Sequence, residues 1–155
     1  MTKVVFVCFG NICRSPMAEF VMKHLVAEAG LEKDFLIESA GCHPSVGTPM
    51  SEGTARELWK NNVPFTHRTS KLLLAGDYGH FDYLIGLDRS NVRDMKEICG
   101  GDPDKKIFLL MDFAGKHRDV DDPWYTDDYA ASYRDILIGC RALLEFIGKN
   151  FPKPD

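Results

Sequence analysis

The segment Cys8-Phe9-Gly10-Asn11-Ile12-Cys13-Arg14-Ser15 puts a thiol and a guanidinium at the two ends of a short loop. Five residues separate Cys8 from Arg14, enough chain to encircle one tetrahedral oxyanion. A thiol is a modest nucleophile until it ionises. Backbone amides, the positive end of a helix and an arginine all favour its thiolate. The loop follows the β-branched run Val4-Val5-Phe6-Val7, which reads as a buried strand. It precedes Ser15-Pro16, which read as an N-cap with proline at the first helical position. A loop in that setting aims successive N–H groups at one point and adds the helix dipole. Gly10 permits a positive φ, and Asn11 is the non-glycine residue type that most often tolerates one. Arg14 offers a planar fork for two phosphate oxygens, and Ser15 a hydroxyl for the sulfur. The chemistry this pattern suits is phosphoryl transfer through Cys8. A cysteine and an arginine at this spacing are a weak signal alone; the strand–loop–helix setting gives them weight.

A phosphate ester also needs a proton for its leaving oxygen, which a nearby carboxylic acid can supply. Asp119, Asp121, Asp122, Asp127 and Asp128 crowd one stretch near the C-terminus. Taken as residues alone, they read better as a solvated acidic loop, and Asp121 rivals Asp122 by position. Pro123 restricts Asp122 to extended geometry, which fits a loop hanging over a pocket.

Several elements must position these groups. Met17, Phe20, Val21 and Leu25 recur at helical spacing, and Gly30 ends that helix. Phe35-Leu36-Ile37 reads as a second strand, with a loop from Ser39 to Pro49. A helix is expected over 51–62 with Ala55, Leu58 and Trp59 inward, a third strand over 81–87, and a helix over 89–99. A fourth strand follows over 106–110. Tyr133, Ile136, Leu137, Cys140, Leu143, Leu144 and Ile147 then form a continuous apolar stripe on a last helix. Alternating strands and helices predict a mostly parallel sheet covered on both faces, with ligands bound beyond the carboxyl ends of its strands. Residues 1–150 are expected to form one domain and 151–155 a short tail.

The run from Val5 to Glu19 resembles the signature of the low-molecular-weight protein tyrosine phosphatases. The resemblance extends to Glu38-Ser39-Ala40-Gly41, Phe81-Asp82-Tyr83, Leu87-Asp88-Arg89-Ser90-Asn91 and Asp122-Pro123-Trp124-Tyr125, in order along the chain. It implies a flavodoxin-like α/β three-layer sandwich with a four-stranded parallel sheet of order 2-1-3-4. It implies hydrolysis of phosphotyrosine through a phosphocysteine on Cys8, with Asp122 as general acid and then base. Arg14 and the loop residues Phe9, Gly10, Asn11, Ile12, Cys13 and Ser15 would hold the phosphate, with no metal or other cofactor. A network of Asn11, Ser15, Ser39 and His67 would support the loop, and Asp88 would hydrogen-bond at the same end of the sheet. Trp124 and Tyr125, with Phe9 and Ile12, would form an apolar wall against an aryl group. Cys13 would be a redox partner for an oxidised Cys8, and Tyr125 a phosphorylation site. One departure is His43-Pro44-Ser45, where many relatives carry an aromatic residue on a slightly longer loop.

Composition narrows the alternatives. The chain has 155 residues, 45% hydrophobic and 27% charged, with a formal net charge of −4. That balance argues against a general nucleic-acid binder. No apolar run approaches the roughly 20 residues of a membrane span, so the protein is expected to be cytoplasmic and off the membrane. The odd count of five cysteines disfavours a disulfide framework, and their spacings do not suggest zinc. The expected partners are phosphotyrosine proteins or small aryl phosphates, with inorganic phosphate as product, and the expected state is a monomer or weak dimer. A thioredoxin-coupled arsenate reductase would need a relay pair of cysteines after the third strand, where only Cys99 stands. An inactive phosphate-binding module fits poorly with intact Cys8, Arg14, Ser15 and Asp122. A flavin-binding domain would usually have a Ser/Thr-rich loop without a central cysteine.

Overall fold

The computed structural model describes residues 1–149. Its strands are β1 (Thr2–Cys8), β2 (Phe35–Gly41), β3 (Tyr83–Gly86) and β4 (Ile107–Leu109). They form one parallel sheet of order β2-β1-β3-β4, as expected. The chain leaves β1 for one side and then crosses to the other. The strand order therefore reverses between β1 and β3, and a crevice opens at their carboxyl ends. Cys8 ends β1 at that crevice.

Alternation along β1 divides the core. Val4 and Phe6 face a layer made by α1 (Arg14–Glu28) and α6 (Tyr129–Lys149). Val5 and Val7 face the layer that holds α4 (Arg89–Cys99), with Leu84 and Met95. The helix α1 lies against β1, β2 and α6, which explains why its N-terminal half is buried all round. The predicted stripe on α6 holds: Ile136, Cys140, Leu143 and Ile147 are buried, and Tyr133, Leu137 and Leu144 flank them. Gly86 lets α4 pack on β3, since a Cβ there would meet Val92 Cγ2 at 2.8 Å.

Several boundaries differ from expectation. The first helix begins at Arg14, with Cys13 as its uncapped N-cap, so Ser15 is already inside it. Ser15 is diverted because its hydroxyl has partners in the crevice, which outweigh a local cap. The helix α2 is Glu52–Lys60, and its inner face is Thr54 and Leu58, whereas Trp59 is 76% exposed. A polar residue takes the inward place because Thr54 Oγ1 donates to the Cys13 carbonyl at 3.0 Å, steadying the loop from behind. Short helices α3 (Asp77–His80) and α5 (Pro123–Thr126) were not legible from periodicity. The expected tail, 151–155, lies outside the described residues.

Candidate active site

Cys8 sits at the centre of the loop and is nearly buried. Its Sγ is 3.0 Å from Ser15 Oγ and accepts from the Asn11 backbone N–H at 3.3 Å. The loop closes directly onto the start of α1, whose first-turn N–H groups have no intrahelical acceptor. It can lie flat on β2 only because residue 41 is glycine. A Cβ there would stand 2.9 Å from the Phe9 carbonyl oxygen and 3.1 Å from Asn11 N. The left-handed residue of the loop is Asn11, with φ 57°, and Gly10 is not in that region. Asn11 can take the strain because its side chain is fully engaged and wholly buried.

Arg14 is held from the β3 side. Its Nη1 donates to Asp88 Oδ2 at 2.8 Å and to the Val120 carbonyl at 2.9 Å, and its Nη2 lies 3.4 Å from Asp122 Oδ2. Val120 is brought there by its own N–H, which donates to the Leu87 carbonyl at the end of β3. Burial alone would lower the pKa of the Arg14 guanidinium. The Cys8 charge, the Asp88 hydrogen bond and the two carboxylate charges outweigh it and raise the value. Asp88 does two jobs. It caps α4 in a reciprocal capping box with Asn91 and pairs with Arg14. Burial pushes its carboxyl up, but hydrogen bonds from Ser90, Arg14 and Asn91 and the Arg14 charge prevail, leaving it below the usual carboxylate range.

That depression fixes a sign. A carboxyl whose folded pKa is lowered adds stability above its unfolded value of about 3.9, and loses it as the pH falls through the folded value. Asp88→Asn is expected to cost about 1.5 kcal/mol at neutral pH, the scale of a charged hydrogen bond. The gap to wild type should narrow as the pH falls below the unfolded value and close once it passes the lowered folded value. Denaturant melts from neutral to acid pH test this; a gap that persists in acid would show that the charge is not the cause.

The support behind the loop differs from the expected network. Asn11 Nδ2 donates to Ser15 Oγ at 2.8 Å, so these two residues are joined. Ser39 donates instead to Glu19 Oε1 at 2.6 Å, and Glu19 also takes Lys23 Nζ at 2.6 Å. His67 is exposed and does not touch the loop. Its neighbour Arg68 faces inward, with Nη1 on the Asn11 carbonyl at 2.8 Å and Nη2 on Asn11 Oδ1 at 2.5 Å. Alternation along an extended segment puts adjacent residues on opposite sides, so a shift of one position exchanges histidine for arginine. Arg68 and Glu19 are the residues that sequence reasoning missed. The signals for Glu19 were its place four residues after Ser15 and at the end of the run from Val5 that carries the resemblance.

A cavity of about 370 Å³ opens above Cys8 and Arg14. Phe9, Ile12, Trp124 and Tyr125 give it apolar walls, while His43, Ser45 and Thr48 line a polar side. Trp124 and Tyr125 are 66% and 85% exposed, so they are rim residues and not core. Their helix α5 starts from Asp122, whose Oδ1 accepts from Trp124 N at 3.0 Å, with Pro123 at the first position. The expected extended geometry of Asp122 is present, at φ −81° and ψ 112°. His43 fills part of the place of the missing aromatic, its ring 5.0 Å from that of Phe9.

The other cysteines are poor nucleophiles. Burial, set against hydrogen bonds to Ser51 and Tyr129, pushes the Cys13 thiol up. Burial likewise raises Cys42 to about 12, and raises Cys99 and Cys140. Cys99 ends α4 and packs against the Val5 face of the sheet, so the α4 segment holds no relay pair.

A thiol at the strand end, met by the Asn11 amide and the Ser15 hydroxyl and sharing its cavity with a forked guanidinium and a carboxyl, defines a class of protein: a cysteine-based enzyme acting on tetrahedral oxyanions. Comparison with known proteins agrees. Residues 3–153 match the model of the family described as low molecular weight phosphotyrosine protein phosphatase. The low molecular weight protein-tyrosine-phosphatase PtpA of Staphylococcus aureus is 38% identical over 97% of this chain and 96% of its own length. The crystal structure of YfkJ from Bacillus subtilis superposes with a TM-score of 0.94 at 35% identity, covering 98% of both chains. SP-PTP, a low molecular weight protein tyrosine phosphatase from Streptococcus pyogenes, gives 0.83 at 37% identity, covering 99% of this chain and 95% of its own. The chain therefore belongs to the low molecular weight phosphotyrosine protein phosphatase family, a family of cysteine-dependent hydrolases.

Proposed function

We propose that this chain, as one domain over residues 1–150, hydrolyses phosphotyrosine and simple aryl phosphates through a phosphocysteine on Cys8. The observation that carries the reading is the convergence of Cys8, Arg14 and Asp122 on one cavity with apolar walls. The Cys8 thiolate attacks phosphorus as the ester P–O bond breaks, and Asp122 gives its proton to the departing phenolate. Water then attacks the phosphocysteine, Asp122 takes its proton, the S–P bond breaks and inorganic phosphate leaves. Arg14 and the loop amides hold the equatorial oxygens, where charge is stabilised most effectively.

The walls favour an aryl ester. An aromatic ring gains area against Phe9, Ile12, Trp124 and Tyr125 that a phosphoserine side chain cannot use. A phosphoarginine would bring a guanidinium, for which Asp122 is the one carboxylate among the lining residues. Cys13 lines the same cavity, which supports condensation of its thiol with a peroxide-generated Cys8 sulfenic acid, forming a disulfide and releasing water. The protein is read as cytoplasmic, where its thiols stay reduced, and as a monomer or weak dimer. Among the described residues no helix is long and apolar enough to cross a membrane.

The reduced protein is expected to hydrolyse para-nitrophenyl phosphate undiminished by a chelator, and to prefer phosphotyrosine peptides over phosphoserine peptides and phosphoarginine. No turnover by clean, reduced protein would overturn the phosphatase reading. Faster release from phosphoarginine would overturn the substrate class alone.

A further inference from the structure

Arg68 is a half-buried cation that lies behind the phosphate loop, outside the cavity. Its fork grips a single residue by both backbone and side chain: Nη1 on the Asn11 carbonyl at 2.8 Å and Nη2 on Asn11 Oδ1 at 2.5 Å. Among the described residues Arg68 makes no ion pair. Burial lowers its pKa, opposed by the charges of Glu19 and Cys8. Glu19 is already bound to Lys23 and Ser39. Glu19 and Cys8 are thus the two negative centres in the Arg68 field, and the hydrogen bonds of Asn11 lead to the second.

The hydrogen bonds around Asn11 all run one way. Oδ1 receives Arg68 Nη2 and the Lys71 N–H at 3.0 Å, which fixes the orientation of the amide. Nδ2 must then point to Ser15 Oγ, 2.8 Å away. With that lone pair used, the Ser15 proton has two acceptors, Cys8 Sγ at 3.0 Å and the Ala40 carbonyl at 3.4 Å, and the sulfur is the nearer. The Asn11 backbone N–H reaches the same sulfur, at 3.3 Å, because φ is 57°. Both contacts to the sulfur therefore depend on one conformer of Asn11, and Arg68 holds that conformer while polarising its amide.

We propose that Arg68 is a positioning residue that keeps Cys8 ionised from outside the cavity, through the relay Arg68–Asn11–Ser15–Cys8. The inference rests on the reading of Cys8 as nucleophile. It assigns loop support to a permanently charged guanidinium in place of the expected His67, so this support does not titrate across the working pH range.

The test is the rate of Cys8 alkylation by iodoacetamide, which reads thiolate and not thiol. It is measured in wild type, Arg68→Gln and Arg68→Lys, with the labelled cysteine located by peptide mapping and each fold checked by thermal melt. In Arg68→Gln, alkylation at about pH 5.5 is expected to fall about tenfold, and to approach the wild-type rate at about pH 9. The kcat for para-nitrophenyl phosphate should fall with it, with KM changing less. Arg68→Lys keeps the charge but not the fork and should lose about threefold at the acid pH. Wild-type alkylation rates in the Gln variant, or an equal loss at both pH values, would overturn the proposal. If the Gln variant does not fold, an unchanged rate in Arg68→Lys would overturn it. Wild-type labelling at a cysteine other than Cys8 would instead overturn the nucleophile reading beneath it.

Discussion

Cys8→Ser is expected to slow aryl phosphate hydrolysis by about 10⁵-fold or more, the scale seen when a covalent nucleophile is removed. The substitution takes away the thiol at the centre of the loop, the one that meets the Asn11 N–H and the Ser15 hydroxyl. Serine at residue 8 would meet the same partners, Asn11 N–H and Ser15 Oγ, but a hydroxyl ionises far less readily than a thiol and neither partner is a base to take its proton. Burial raises the pKa of each of the other four cysteines, and of these only Cys13 lines the cavity. The cradle itself is untouched. Arg14 stays pinned by Asp88 and the Val120 carbonyl, so the variant should still bind inorganic phosphate. Calorimetric phosphate binding beside a steady-state assay separates the two effects. Full turnover in Cys8→Ser would mean a different nucleophile; loss of phosphate binding together with turnover would mean a collapsed loop.

What was legible in the sequence was local. The helix Arg89–Cys99 matches its expected bounds because Asp88, Asn91 and Gly100 write its start and stop in neighbouring residues. The strand–loop–helix around Cys8 was legible for the same reason, and it fixes Cys8, Arg14 and Ser15 relative to one another. What failed depended on distant partners. Ser15 looked like a cap, yet its hydroxyl serves Cys8 and Asn11 inside the crevice. Trp59 looked like core, yet Thr54 holds the inner place through the Cys13 carbonyl, 41 residues away in sequence. Gly10 and Asn11 both allowed a positive φ, and Asn11 is the one that takes it because Arg68 and Lys71, 57 and 60 residues on, engage its side chain. The exchange of His67 for Arg68 is the same lesson at finest grain. No local rule says which of two adjacent residues in an extended segment faces a loop laid down much earlier in the chain.

Asp122→Asn is expected to lower kcat by about 10²- to 10⁴-fold on phenyl phosphate, the usual worth of a positioned general acid. The loss should shrink on para-nitrophenyl phosphate, whose leaving group departs as a stable anion and needs little proton transfer. That dependence on leaving group is what separates an acid from a structural residue. Asn at residue 122 keeps an oxygen for the Trp124 N–H, so α5 and the Trp124 wall should survive the change. Its amide meets Arg14 Nη2 without the charge of a carboxylate, at a contact that is long already, 3.4 Å. Asp121 supplies the control. It is exposed, its backbone carbonyl accepts from Ser132 Oγ, and it does not line the cavity. Asp121→Asn should therefore stay within about threefold of wild type, as surface substitutions away from a site generally do. If instead Asp121→Asn produced the large, leaving-group-dependent loss, the proton donor would be the neighbour, and the restriction that Pro123 places on Asp122 would concern only the placement of Trp124 on the rim.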